Sequence, residues 1–238
     1  PEGAVTWFDN MISVVPGALD ELTELAYHRY GGETLSNIQA IGSRVRRYGI
    51  RSAMLEKFDG GGTYLKLHED LKEGLVSAWQ QFAIAYPGND SGAHYYWIDR
   101  ANPSNPVTNM GSRTKFLRQY FKFIRAGAVR VEANSTNSAL DPLAFVNPDG
   151  NPVLVIKADS AGSALITGLP AGTYAANYTT SSSYNVDAPA AAVSVGESLP
   201  VTIPAAGVLT VYRTSIVATR DEREFYFPQI AMGQAPGL

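Results

Sequence analysis

A chain of 238 residues, 45% of them hydrophobic, is long enough for one large domain or two ordinary ones around a buried core. The net charge is only −3 and Lys and Arg are scattered, which argues against a nucleic-acid surface. No apolar run approaches the ~20 residues of a membrane-spanning helix, and the absence of cysteine excludes disulfides and thiolate metal sites.

Up to about Ile124 the pattern alternates between helix and strand. Trp7 to Asp20 reads as a helix broken at Pro16-Gly17. Leu22 to Tyr30 reads as a buried strand with polar residues at its C-terminal end. Thr34 to Tyr48 is a stronger helix: Ile38, Ile41 and Val45 share one face, Arg44, Arg46 and Arg47 suit the C-terminal dipole, and Gly49 stops it. Ile50 to Leu55 is a short apolar strand ending at Glu56. After Gly60-Gly61-Gly62, Tyr64 to Trp79 reads as helix, with Glu69, Asp70 and Glu73 on a solvated face. Gln80 to Tyr86 reads as a third strand, Pro87 to Pro106 as a long polar loop, and Asn109 to Ile124 as a helix. This spacing predicts parallel βα units.

Beyond Arg125 short β-prone runs alternate with turn signals such as Asn147-Pro148-Asp149-Gly150 and Leu169-Pro170-Ala171-Gly172, which predicts an antiparallel sandwich. The expected fold class is therefore α/β followed by all-β. The expected division is residues 1–126 as βα units, 127–215 as sandwich and 216–238 as an extension. Low charge content with abundant Gly, Ser, Thr, Tyr and Asn is common in secreted or extracellular β-rich proteins, and that is the expected location.

Three βα units cannot close a sheet, so the rest of such a barrel is expected on another chain or on a removed segment. In parallel barrels the reacting groups stand at the C-terminal ends of the strands. Those ends here carry Tyr27-His28-Arg29-Tyr30, Leu55-Glu56-Lys57-Phe58 and Ala85-Tyr86-Pro87. A carboxylate, an imidazole and aromatic rings at one end suit a carbohydrate substrate. Rings stack on sugar C–H faces, and a carboxylate can attack an anomeric carbon. Each residue also has a bland reading: Glu56 as a solvated loop carboxylate, His28 as a structural histidine, and Tyr27, Tyr30 and Tyr86 as packing. The run His94 to Trp97 either lines a subsite or anchors its loop. No metal-ligand spacing is present, and no cofactor is implied.

The order of these features resembles glycoside hydrolase family 30, the glucosylceramidases and related β-glycanases with a (β/α)8 barrel and a β-sandwich side domain. The motifs are His28-Arg29-Tyr30 at the end of the sixth barrel strand and Ala53-Met54-Leu55-Glu56 at the end of the seventh. Phe121-Lys122-Phe123-Ile124-Arg125-Ala126-Gly127-Ala128-Val129-Arg130 leads from the last barrel helix into the sandwich, whose hairpin is Ala144 to Gly150 and whose turn is Gly168 to Tyr174. The resemblance implies the C-terminal portion of a (β/α)8 barrel followed by the sandwich, in a secreted retaining hydrolase acting on β-glycosidic bonds. It implies Glu56 as nucleophile and His28, Tyr30, Tyr86 and Trp97 as substrate-binding residues. The family's acid/base glutamate lies on the fourth strand, outside this chain. The family's eighth strand commonly ends in Trp, whereas Gln80 to Tyr86 offers Phe82 and Tyr86. The alternative is a non-catalytic carbohydrate-binding or structural component of an extracellular assembly.

Overall fold

A computed structural model describes residues 1–58 and 60–215; the expected extension at 216–238 lies outside the described residues. By its internal contacts the chain divides into two compact units, with the boundary between Thr114 and Lys115.

The first unit opens with helices α1 (Glu2–Val14) and α2 (Ala18–Glu21), parted at Pro16-Gly17. Three parallel strands follow, β1 (Glu24–His28), β2 (Arg51–Glu56) and β3 (Val76–Trp79), paired in chain order. Helix α3 (Leu35–Tyr48) connects the first two. Its Thr34 cap accepts from the Asn37 backbone N–H at 3.3 Å, and Gly49 leaves it in the left-handed region. Its Ile38 and Ile41 join Phe8, Leu25, Tyr27, Met54 and Val76 in one apolar core. Gly42 allows the close approach of the next helical segment, because a Cβ there would stand 2.0 Å from the Glu73 carbonyl oxygen.

Between β2 and β3 the chain forms α4 (Tyr64–Glu69) and then a π-helical turn (Asp70–Gly74). Two sequence expectations fail here. The helix read over Tyr64 to Trp79 stops at Gly74, so Val76–Trp79 is the third parallel strand and does end in Trp. The segment read as the third strand is instead β4 (Ala83–Pro87), in a separate three-stranded sheet. Its partners are β5 (His94–Asp99), which runs parallel to it, and β6 (Val107–Met110), antiparallel to β5. The run His94 to Trp97 is thus strand, not part of a long loop, and the predicted helix at Asn109 begins only at Ser112. No closed barrel is present among the described residues; the parallel part is a three-stranded sheet.

Helix α5 (Ser112–Phe121) leads into eight further strands. These are β7 (Val129–Val131), β8 (Leu140–Val146), β9 (Pro152–Ala158), β10 (Gly162–Ile166), β11 (Gly172–Thr180), β12 (Val186–Val193), β13 (Leu199–Ile203) and β14 (Gly207–Ser215). Six of them form an antiparallel sheet in the order β12-β11-β14-β9-β8-β7, and β10 pairs with β13. Strand alternation separates two faces. Ile156, Tyr174, Ala176, Leu209 and Val211 meet Leu199 and Ile203 in the sandwich core. The opposite face carries Asn177, Thr179, Thr210 and Tyr212 toward the segment from Gln119 to Phe123. Gln119 donates to Asn177 at 2.6 Å and to Thr179 at 2.9 Å, Thr210 donates to the Gln119 carbonyl, and Phe123 lies 4.5 Å from the Tyr212 ring centre.

Candidate active site

Strand alternation alone sends Glu56 the wrong way. On β2, Ser52 and Met54 pair with Leu25 and Tyr27, and all four side chains are buried. Continued alternation would put Glu56 on that covered side. The register slips by one residue instead: Tyr27 stands opposite Met54, but His28 stands opposite Glu56, so Leu55 is the extra residue. This slip moves Glu56 to the side of His28 and Ala26, which are exposed.

Three of the five expected site residues meet there. The Tyr30 hydroxyl donates to Glu56 Oε1 at 2.5 Å. His28 Nδ1 lies 3.9 Å from the same oxygen, and the His28 and Tyr30 rings meet edge to face at 5.7 Å. The Glu56 side chain retains 32% exposure and that of His28 retains 48%, so both are open to a ligand. Tyr86 and Trp97 belong to the second sheet. They face each other in the β4–β5 register, Trp97 faces Asn109 on β6, and the exposed Tyr86 ring stacks on His94 at 6.2 Å.

Beneath the site lies a charged cluster that the sequence reading missed. Asp70, assigned there to a solvated helix face, is 0% exposed, and Arg29 is 1% exposed. Asp70 accepts from Tyr27 Oη at 2.5 Å, Arg29 Nη2 at 2.9 Å, Arg29 Nε at 3.0 Å and Trp79 Nε1 at 2.9 Å. Arg29 Nη2 also reaches Glu69 at 2.7 Å. Burial pushes the Asp70 carboxyl above the usual carboxylate range, against the pull of Arg29 and of the Tyr27 and Trp79 donors. Burial, with the Asp70 charge beside it, pushes the Tyr27 phenol up as well. Tyr27 is thus packing, as its bland reading had it, but packing with a polar anchor.

Lys57 completes the arrangement. It is buried, donates to the Arg29 carbonyl at 2.6 Å and to Glu33 Oε1 at 2.5 Å, and lies 5.8 Å from the Tyr30 ring centre. Lys66 binds the other Glu33 oxygen. Partial burial pushes the Glu33 carboxyl up, but hydrogen bonds from Lys57 and Lys66 outweigh it and hold it below its usual range. The available signals were an Arg between the site's His and Tyr, and a Lys directly after its Glu.

Residues 127–211 match the family model described as the glycosyl hydrolase family 30 β-sandwich domain. An endoxylanase of that family from Clostridium papyrosolvens superposes with a TM-score of 0.64 at 21% identity, covering 86% of this chain and 52% of the other. The catalytic domain of xylanase C from Talaromyces cellulolyticus gives 0.65 at 19% identity, covering 89% and 49%. The chain is glycoside hydrolase family 30-like. An endo-β1,6-glucanase also superposes, with a TM-score of 0.56 at 19% identity, covering 90% of this chain and 46% of the other. The family 30-like chain spans about half the length of these solved structures. At these identities the likeness is one of fold. No curated protein matches the sequence.

Proposed function

We propose that the chain is the C-terminal portion of a secreted retaining glycoside hydrolase that cleaves β-glycosidic bonds in a polysaccharide, with Glu56 as its nucleophile. The observation that carries this reading is the register slip that turns Glu56 toward His28 and places the Tyr30 hydroxyl on Oε1. A carboxylate held by the Tyr30 donor at the end of a parallel strand, with its side chain still 32% exposed, suits attack on an anomeric carbon. In this mechanism Oε2 forms the glycosyl–enzyme ester while the leaving oxygen takes a proton from a second carboxylic acid. That acid, about 5–5.5 Å away in retaining enzymes, comes from the remaining barrel strands. The same group then activates the water that releases the sugar. Tyr30 orients the Glu56 side chain before attack, and His28 orients the sugar. The exposed Tyr86 ring, with Trp97 beside it in the register, supplies apolar faces for neighbouring sugars. The xylanase and β-glucanase names of the structural neighbours supply the substrate class, and a composition poor in charge supports export.

The test is Glu56→Gln in the complete protein. Turnover of β-linked oligosaccharides should fall by several orders of magnitude with the thermal transition unchanged, because the amide keeps the shape but cannot act as the nucleophile. A 2-fluoro glycoside should label Glu56, and His28→Ala should cost less than Glu56→Gln. Near-normal hydrolysis by Glu56→Gln would remove Glu56 as the nucleophile, whereas no hydrolysis by the unaltered complete protein would leave a carbohydrate-binding component as the better reading.

A further inference from the structure

Glu56 ends β2 and Tyr30 lies two residues past the end of β1, where backbone freedom would blur a 2.5 Å hydrogen bond. Their placement has a specific cause. Lys57 follows Glu56 directly, and its ammonium, 3% exposed as a residue, is turned inward. It holds the backbone of the residue before Tyr30, through the Arg29 carbonyl at 2.6 Å, and lies within cation–π range of the Tyr30 ring. The same ammonium meets Glu33 at 2.5 Å, just beyond β1. One buried cation therefore touches the segment bearing Tyr30 in two ways and is covalently next to Glu56. Arg29, the residue whose carbonyl it holds, is itself fixed by Asp70.

We propose that Lys57 is a positioning residue that fixes the Tyr30 hydroxyl on Glu56, and so sets the orientation of the nucleophile; this rests on the reading of Glu56 above. Lys57 does not touch the sugar. It acts by clamping the ends of β1 and β2 together, with Glu33 as the counter-charge that keeps its ammonium in place.

The test uses the complete protein with Lys57→Met, which keeps the aliphatic stem, and Glu33→Gln, which spares Lys57 and keeps the fold if the buried methionine does not. Two quantities are read: the Tyr30 Oη to Glu56 distance in a crystal structure of the variant, and kcat and KM separately on a β-linked oligosaccharide. The expected result is loss of the Tyr30–Glu56 contact with a fall in kcat of at least tenfold and little change in KM. Glu33→Gln should show the same in weaker form. Persistence of the contact in both variants overturns the proposal whatever the activity. Loss of the contact with kcat unchanged also overturns it. If Glu56→Gln stays active, the reading of Glu56 as nucleophile fails, while the distance still decides whether Lys57 holds Tyr30 in place.

Discussion

The two units bury polarity in opposite ways. In the parallel unit the buried polar groups include Arg29, Lys57 and Asp70, full charges tied into one cluster under the candidate site. In the sandwich they are neutral, and Gln119, Asn147, Asn177, Thr179 and Thr210 bond to one another or to backbone. The surfaces differ too. Among the described residues the parallel sheet is three strands wide, with β1 and β3 each paired to β2 alone, whereas the large sheet of the sandwich has six strands and buries one face against Leu199 and Ile203 and sets the other against the Gln119 to Phe123 segment. A unit that only has to pack can satisfy its interior with amides and hydroxyls at modest cost. A unit that must hold a carboxylate and a phenol in register invests in buried ion pairs, which fix geometry more than they add stability.

The largest test of this contrast is to separate the units. Residues 112–215 expressed alone should unfold in one cooperative, reversible urea transition. Residues 1–114 alone should be poorly soluble or bind a hydrophobic dye, because a sheet only three strands wide with exposed apolar side chains such as Ile84 and Tyr86 invites association. A soluble, cooperative 1–114 fragment would break the comparison.

A second test sets one buried group against another. Asp70→Ala leaves Arg29 buried without its main counter-charge and should cost about 3–5 kcal/mol. Gln119→Ala leaves Asn177 and Thr179 short of a donor and should cost about 1–3 kcal/mol. Chemical denaturation of the complete protein gives both values. Equal losses would mean that the charged cluster is no more committed than the neutral one.

These features were unequally legible in the sequence. The helix from Thr34 to Gly49 announces itself with a cap, a periodic face and a glycine stop. The sandwich strands announce themselves through their turns, although β10 (Gly162–Ile166) shows little alternation in its sequence. Val76–Trp79 was hidden because it follows α4 without a proline or a turn pair. A π-helical turn ending at Gly74, which has no sequence signature, and Leu75 in the left-handed region separate them. Once that strand was read as helix, the next apolar run took its place. The Glu56 position was legible from the short strand and the resemblance. The slip at Leu55 that turns it was not, because a one-residue change of register depends on long-range pairing. Asp70 looked solvated because its partners are distant in sequence: Tyr27 on β1, Arg29 just past its end, and Trp79 on β3.

The smallest expected effect is on pH dependence, and it sharpens the contrast because the depressed carboxyl lies beside the site. The Glu33 carboxyl is held below its usual range in the fold, Lys57 and Lys66 outweighing its partial burial. A carboxylate whose folded pKa is depressed contributes stability that is fully present above its unfolded value, about 4.3 for glutamate, and is lost as the pH falls through the lower folded value. Glu33→Gln should therefore lower stability at neutral pH and flatten the acid limb of the stability curve. Because Glu33 keeps 24% exposure, the contribution should stay below about 1 kcal/mol. Asp9, whose carboxyl is depressed by its hydrogen bonds from Arg44 on α3, supplies the control. Asp9→Asn should flatten the same limb without moving kcat, since Arg44 touches neither Tyr30 nor Lys57. Glu33→Gln should change both. If the two variants shift acid stability alike and neither alters kcat, the charges around Glu33 serve the fold alone, and the distinction between a packing unit and a positioning unit narrows to Arg29 and Asp70.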